Sequence, residues 1–177
     1  GRAEQNRSAA LAEGEPYSLD RPVHDYRFSP DERYVSVPRL VGATRVSASS
    51  AQSDAGSPGP LVPAEQPWSA LDGDPRTSWR AGAGDEGSSW IEVEFGGAVD
   101  IERLTLTMDK DAERTRRLTV RTDSGEVVAT AQPGIYTTVR LRPGSTRTLK
   151  ISGAASAFDP LTLTDIEIPG IEITRPL

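Results

Sequence analysis

Cysteine is absent from this chain, which excludes both a disulfide framework and a thiolate metal site and leaves the compartment open. Histidine is almost absent. A Ser-His-Asp triad would have to use His24, the single histidine, and no Gly-x-Ser-x-Gly elbow is present. No apolar run approaches the roughly 18 residues a membrane-spanning helix needs. No block of basic residues offsets a net charge of -6, which argues against nucleic acid as a partner. Lysine is confined to Lys110 and Lys150 against 18 arginines, and Asn6 is the only asparagine. That bias points to a GC-rich genome, for instance an actinobacterial one. The chain opens on Gly1 without a signal peptide and reads as a piece of something longer.

What is present is a polar but globular composition, 36% hydrophobic and 26% charged over 177 residues, which suits one sheet-based domain with a flanking segment. Residues 2–13 have helix propensity, ending near Gly14. Residues 15–43 mix Pro16, Pro22, Pro30 and Pro38 with Tyr17, Tyr26, Phe28 and Tyr34. Prolines at that spacing forbid long helices and central strands, so residues 1–43 are expected to form a helix and extended arm packed on a body at 44–177. Residues 50–67 are expected to be a long loop. From Ser89 the period changes to two: Trp90-Ile91-Glu92-Val93-Glu94-Phe95 alternates apolar and acidic residues, as a half-buried strand does. A turn at Gly96-Gly97 is expected before Ile101, Leu104, Leu106 and Met108. Further strands follow at Leu118–Thr122, Val127–Val128, Thr138–Leu141 and Thr148–Ile151, with Leu161, Leu163, Ile166 and Ile168 closing the body. Turn signals every 8–12 residues predict an all-β sandwich or jelly roll.

Most motifs resolve into ordinary structure. Gly82-Ala83-Gly84-Asp85-Glu86-Gly87 fits a dinucleotide fingerprint, but a strand follows it and its acids would repel phosphate, so it reads as a loop. Asn6-Arg7-Ser8 is a formal glycosylation sequon, idle in a bacterial chain. Glu92 and Glu94 lie two apart on one strand and so share a face, not opposite walls of a cleft. Arg114, Arg116 and Arg117 are the nearest thing to a basic cluster. The segment Ala70-Leu71-Asp72-Gly73-Asp74-Pro75-Arg76-Thr77-Ser78-Trp79 admits two readings. Its aspartates can cap backbone N–H groups in a structural turn. Alternatively, its oxygens can surround a hard cation. The segment alone supplies too few ligands for calcium, so that reading requires a distant acid.

Val46-Ser47-Ala48-Ser49-Ser50, the Asp72 segment and Trp90–Phe95, in that order and spacing, resemble the discoidin or coagulation factor 5/8 type C domain, whose fold galactose-binding carbohydrate modules share. Leu163-Thr164-Asp165-Ile166-Glu167-Ile168 resembles that family's last strand, so the resemblance spans roughly 44–169. It implies an eight-stranded jelly-roll sandwich. It also implies a structural calcium held by the Ser69 carbonyl, the Asp72 carboxylate, the Asp74 carbonyl, Thr77, the Thr164 carbonyl and the Asp165 carboxylate. The required distant acid is then Asp165, where the family usually has Glu. Family ligands dock on the loops at one end, which makes Trp68, Arg80, Arg116 and Phe158 the candidate sugar contacts. Sugar sites combine an aromatic face with a few directional polar groups. Phe158 lies in the loop Ala154–Asp159, and its alternative is to fold back on the core. Arg80 either donates to sugar hydroxyls or is a solvated surface arginine. Trp79 and Trp90 are expected in or at the edge of the core.

The run Gly14-Glu15-Pro16-Tyr17 through Arg21-Pro22-Val23-His24-Asp25-Tyr26-Arg27 also resembles a segment of large actinobacterial membrane arabinofuranosyltransferases. The implied role is a non-catalytic, extracytoplasmic carbohydrate-binding module. It would hold cell-wall arabinan or galactan for a catalytic part that this chain lacks. The competing reading is a structural spacer or protein-interaction domain that keeps the fold without the sugar site. A self-contained enzyme finds no assembled constellation to support it.

Overall fold

The computed structural model describes residues 40–52, 63–82, 87–156 and 158–174. The expected helix at 2–13, nearly all of the proline-rich arm with His24, the sequon at Asn6 and the centre of the glycine-rich loop lie outside them. Among the described residues nine strands run β1 Arg45–Ala48, β2 Trp79–Arg80, β3 Gly87–Asp100, β4 Arg103–Met108, β5 Arg116–Thr122, β6 Gly125–Ala131, β7 Tyr136–Arg140, β8 Ser145–Ala155 and β9 Thr162–Glu167. One sheet has the order β1-β3-β8-β5-β6 and the other β2-β9-β4-β7. Every pairing between strands is antiparallel. Only β5 and β6 form a hairpin within one sheet. From β3 onward each other connection crosses to the opposite sheet, which is the winding of a jelly roll. Among the described residues no helix is long and apolar enough to cross a membrane.

The alternation read in the sequence is the burial pattern of β3: Ser89, Ile91, Val93 and Phe95 face in, while Trp90, Glu92 and Glu94 are half-exposed. The expected turn at Gly96-Gly97 is not a reversal. Those glycines lie inside β3 at a register shift between Glu94 and Val99, and pairing with β8 resumes at Val99–Thr146 and Asp100–Ser145. A bulge adds unpaired residues without ending the strand, and glycine suits it as well as it suits a turn. The chain turns instead at Ile101–Glu102. The long loop expected at 50–67 contains two short 3-10 turns, Pro63–Glu65 and Pro67–Ala70.

Between the sheets lie Trp79, Ile91, Leu104, Leu106, Met108, Leu118, Leu149, Ile151, Leu161 and Leu163, all essentially inaccessible. Burying each such side chain stabilises the fold by about 1.5–3 kcal/mol. Trp79 satisfies its indole N–H on the Ser50 carbonyl at 2.9 Å, so its ring stays in the core without a stranded donor. Trp90 lies on the outer face, where the Lys150 ammonium stands 3.8 Å from its ring centroid. Leu40 packs against the core, Val41 pairs with Thr174, and Ala43 is buried. Gly87 pairs with Ala155, Arg116 with Ala131 and Arg80 with Thr162, so β3, β5 and β9 begin, and β2, β6 and β8 end, at one end of the sandwich. The connections 109–115, 132–135 and 156–161 gather at that end.

Candidate functional site

The connection from β8 to β9 makes a tight reversal at this end. Ser156 N–H donates to the Asp159 carbonyl at 3.2 Å and Asp159 N–H donates to the Ser156 carbonyl at 3.1 Å. Phe158 lies within that reversal, 95% exposed. It does not fold back on the core. A phenyl ring so exposed gains nothing from the fold and is available for stacking. Asp159 beside it is buried. It accepts from Arg114 Nε at 2.7 Å through Oδ2 and from Arg116 Nη2 through Oδ1.

Arg116 occupies a different place from the loop surface expected of it. Only 8% exposed, it donates through Nη1 to the Ala154 carbonyl and through Nη2 to the Asp159 carbonyl at 2.7 Å. Its Nε is buried without a partner. The guanidinium therefore fastens the β8–β9 loop onto the start of β5 and, through Asp159, fixes the residue beside Phe158. That makes it a positioning residue for this loop. Above it opens a shallow cleft of about 320 Å³ lined by Arg114, Arg116, Arg117, Ala154, Ser156 and Asp159 among others. Trp68 and Arg80 do not line it. Trp68 lies half-buried in the 3-10 turn Pro67–Ala70, which packs against β1, β2 and β9. Arg80 ends β2 with a buried, unpartnered Nε. Phe158 thus adjoins Arg116 through Asp159, while Phe158, Trp68 and Arg80 are all outside the lining of that cleft.

The Asp72 loop forms a second cluster. The Thr77 hydroxyl lies 3.1 Å from the Ser69 carbonyl, 2.9 Å from each Asp72 carboxylate oxygen and 2.9 Å from the Asp74 carbonyl. A hydroxyl has one proton and satisfies one acceptor at full strength. Carbonyl, carboxylate and hydroxyl oxygens thus converge on one point, and an all-oxygen set of this kind fits a hard cation such as calcium. Capping also occurs here: Asp74 N–H donates to Asp72 Oδ1 at 2.8 Å, and the Asp74 carboxylate holds Arg76. Hydrogen bonds from Arg76 hold the Asp74 carboxyl down at about 2. Asp165 follows Thr164 on β9, opposite Thr107 of β4. Burial, then the charge of Glu167 and to a smaller extent that of Asp72, push its carboxyl above the ordinary 3.8. Among the described residues no group of three or more His, Cys, Asp or Glu side chains could hold a metal, so the cluster relies on carbonyls and Thr77 beside the Asp72 carboxylate.

Two antiparallel sheets wound in this way, with several connections gathered at one end, define a jelly-roll β-sandwich. Residues 45–156 match the F5/8 type C domain, and the chain belongs to that family. Over 179 aligned residues it is 29% identical to an alpha-(1->3)-arabinofuranosyltransferase of Mycobacterium tuberculosis, covering 95% of this chain and 12% of that protein. It is similar to the cryo-EM structure of the arabinofuranosyltransferase AftD from Mycobacteria (TM-score 0.67, 24% identity, 76% of this chain and 12% of that one). It is also similar to the CBM32 of AlyQ in complex with 4,5-unsaturated mannuronic acid (TM-score 0.57, 17% identity, 74% of this chain and 98% of that one). The chain thus spans about an eighth of each mycobacterial relative and nearly the whole of an isolated carbohydrate-binding module.

Proposed function

We propose that this chain is a non-catalytic carbohydrate-binding module in an extracytoplasmic part of a cell-wall arabinofuranosyltransferase, where it holds arabinan or galactan acceptor for a catalytic region elsewhere. The observation that carries this reading is Phe158, a large aromatic 95% exposed on a loop pinned from beneath by the Arg116–Asp159 pair. An exposed ring on a fixed support stacks on a sugar at little entropic cost. Weak binding suffices, because tethering to the enzyme raises the local acceptor concentration. Calcium at the Asp72 loop serves the fold in this reading.

The chain, titrated with arabinofuranose and galactofuranose oligosaccharides and followed by NMR, shifts amides around Phe158, Arg114 and Ser156. Phe158→Ala is expected to weaken binding by about tenfold, or about 1.4 kcal/mol. Wild-type protein that shows no shifts at millimolar sugar would sink this reading in favour of an interaction module. One observation supports that second role. Ile135 and Tyr136 are 55% and 71% exposed side by side where β7 begins, on an edge strand whose one neighbour is β4.

A further inference from the structure

We infer that the open edge of β7 pairs with the same edge of a second copy of this chain, joining two four-stranded sheets into one continuous sheet. Such pairing needs none of the residues assigned to sugar. β7 has β4 on one side and, among the described residues, no strand on the other. The register decides which backbone groups face that open side. Leu141 N–H donates to the Glu102 carbonyl at 2.8 Å, and Arg140 stands opposite Arg103. Bonded pairs alternate along an antiparallel ladder, so Val139 and Thr137 also direct their backbone groups to β4. The N–H and C=O groups of Tyr136, Thr138 and Arg140 therefore point away from it, along the open edge.

The other edges of the two sheets are guarded and this one is not. β1 and β2 are only 4 and 2 residues long. Arg142 lies along the start of β6, donating from Nε to the Glu126 carbonyl at 3.3 Å. Short strands and covering side chains keep edges from pairing. β7, Tyr136-Thr137-Thr138-Val139-Arg140, carries no proline, lysine, glycine or acid and pairs with β4 without a bulge. Its Tyr, Thr and Val residues favour a strand. A second copy is favoured over an arbitrary strand because β7 is complementary to itself. Edge-facing residues must oppose edge-facing residues. Antiparallel pairing about Thr138 achieves this throughout: Tyr136 meets Arg140 of the second copy, Thr138 meets its own counterpart, and Arg140 meets Tyr136. Each such pair exchanges two hydrogen bonds. Sliding the register by two residues loses one of the pairs. In the centred register each exposed guanidinium lies against a tyrosine ring that is 71% exposed, and no like charges are opposed. Ile135, 55% exposed, extends the apolar contact beside it. The two strands run in opposite directions, so the loop ends of the two copies point apart and Phe158 is presented at both ends of the joined sheet.

The test is sedimentation equilibrium of the 177-residue chain. A 5-residue edge buries less than a standard interface, so association is expected to be weak, the mass rising from 19.0 kDa toward twice that between ~10 µM and ~1 mM. Thr138→Pro removes an edge-facing N–H that bonds nothing within the sheet. It is expected to melt with wild type and to stay monomeric. Tyr136→Lys opposes like charges and is expected to raise the dissociation constant about tenfold. Tyr136→Glu replaces the ring with an ion pair to Arg140 of the second copy and is expected to hold it within about threefold. Should Thr138→Pro disturb the fold, the two Tyr136 variants, on an exposed face, decide alone. A chain that stays at 19.0 kDa throughout overturns the inference and leaves the edge to a strand of another protein. A dimer untouched by Thr138→Pro, or one weakened equally by both Tyr136 variants, also overturns it, the first in its location and the second in its register. Sugar titration at Phe158 is expected to be unchanged in all three variants, so failure here leaves the glycan-binding module standing.

Discussion

Gly42 occupies a backbone position that few residues could share. Its φ of +87° lies in the left-handed region, and a Cβ built there would overlap the carbonyl of Glu172. The overlap is with backbone, so no side-chain rotation relieves it. Gly42 adjoins the point where Val41 N–H donates to the Thr174 carbonyl at 2.9 Å and Thr174 N–H donates back at 3.1 Å, closing the first described segment onto the last. Gly42→Ala is expected to lower unfolding stability by about 1–3 kcal/mol, the cost of a residue forced into a disfavoured conformation. Urea denaturation reads this as a lower midpoint at unchanged slope. A midpoint within error of wild type would mean that 40–43 can detach from 172–174 without loss. Trp79 gives a larger expected value: Trp79→Ala empties the centre of the core and costs about 3–5 kcal/mol. Arg116 shows what the sequence held and a reading by loops overlooked. In Arg116-Arg117-Leu118-Thr119-Val120, Arg116 has the same parity as Leu118 and Val120, which face in. An arginine at an inward position demands a carboxylate, and Asp159 follows Phe158 in the adjoining loop. Parity was legible from sequence; the pairing needed the crossover from β8 to β9.

At the level of elements, what period two could reveal was legible, and what strand partners decide was not. The alternation at Trp90–Phe95 is local, and it fixed that strand's buried face. The fate of Gly96-Gly97 is non-local, because β8 supplies partners on both sides of the irregularity and carries β3 on to Asp100. The turn between β5 and β6 is also tied across the sheet. Asp123 Oδ2 accepts from Arg147 N–H at 2.7 Å and Oδ1 from the Thr148 hydroxyl at 2.8 Å, while Asp123 N–H donates to the Thr146 hydroxyl at 2.9 Å. These hydrogen bonds, led by the Arg147 backbone N–H, hold its carboxyl below the ordinary 3.8. A carboxylate with a depressed folded value contributes stability above the unfolded value, and that contribution is lost as pH falls through the folded one. The carboxylate is exposed, so the effect is small. Asp123→Asn is expected to flatten the acid side of the stability-against-pH curve below about pH 4, where an unfolded aspartate titrates. At neutral pH it lowers the melting temperature. Identical acid limbs in variant and wild type would show that the cross-sheet tie contributes nothing.

Taken as a whole molecule, the chain depends on how its two carboxylate-bearing edges meet. Asp72 is on the connection between β1 and β2, and Asp165 is on β9, so any cation they share joins a loop to a central strand of the four-stranded sheet. Without a cation, Asp165 is partly buried beside Glu167 and Asp72, and its ionised form is disfavoured in the folded chain. For a carboxyl whose folded value is raised, that penalty is fully present above the folded value and is relieved as pH falls through it. Asp165 therefore makes a prediction opposite in sign to that of Asp123. Calcium at a hundredfold excess over its dissociation constant should stabilise the chain by about 2.7 kcal/mol, with the melting temperature rising accordingly and falling again on chelation. Asp72→Asn and Asp165→Asn should each abolish that response. In chelator, however, Asp165→Asn should melt higher than wild type, because it removes a half-buried charge that Glu167 repels. Differential scanning calorimetry of the three proteins, with calcium and with chelator, reads all of this. Wild type that melts at the same temperature in both would remove calcium from the account and leave the Asp72 loop as a turn held by its own hydrogen bonds. An Asp165→Asn chain that melts lower in chelator would instead show that Asp165 is stabilised by contacts within the protein and has no need of a cation.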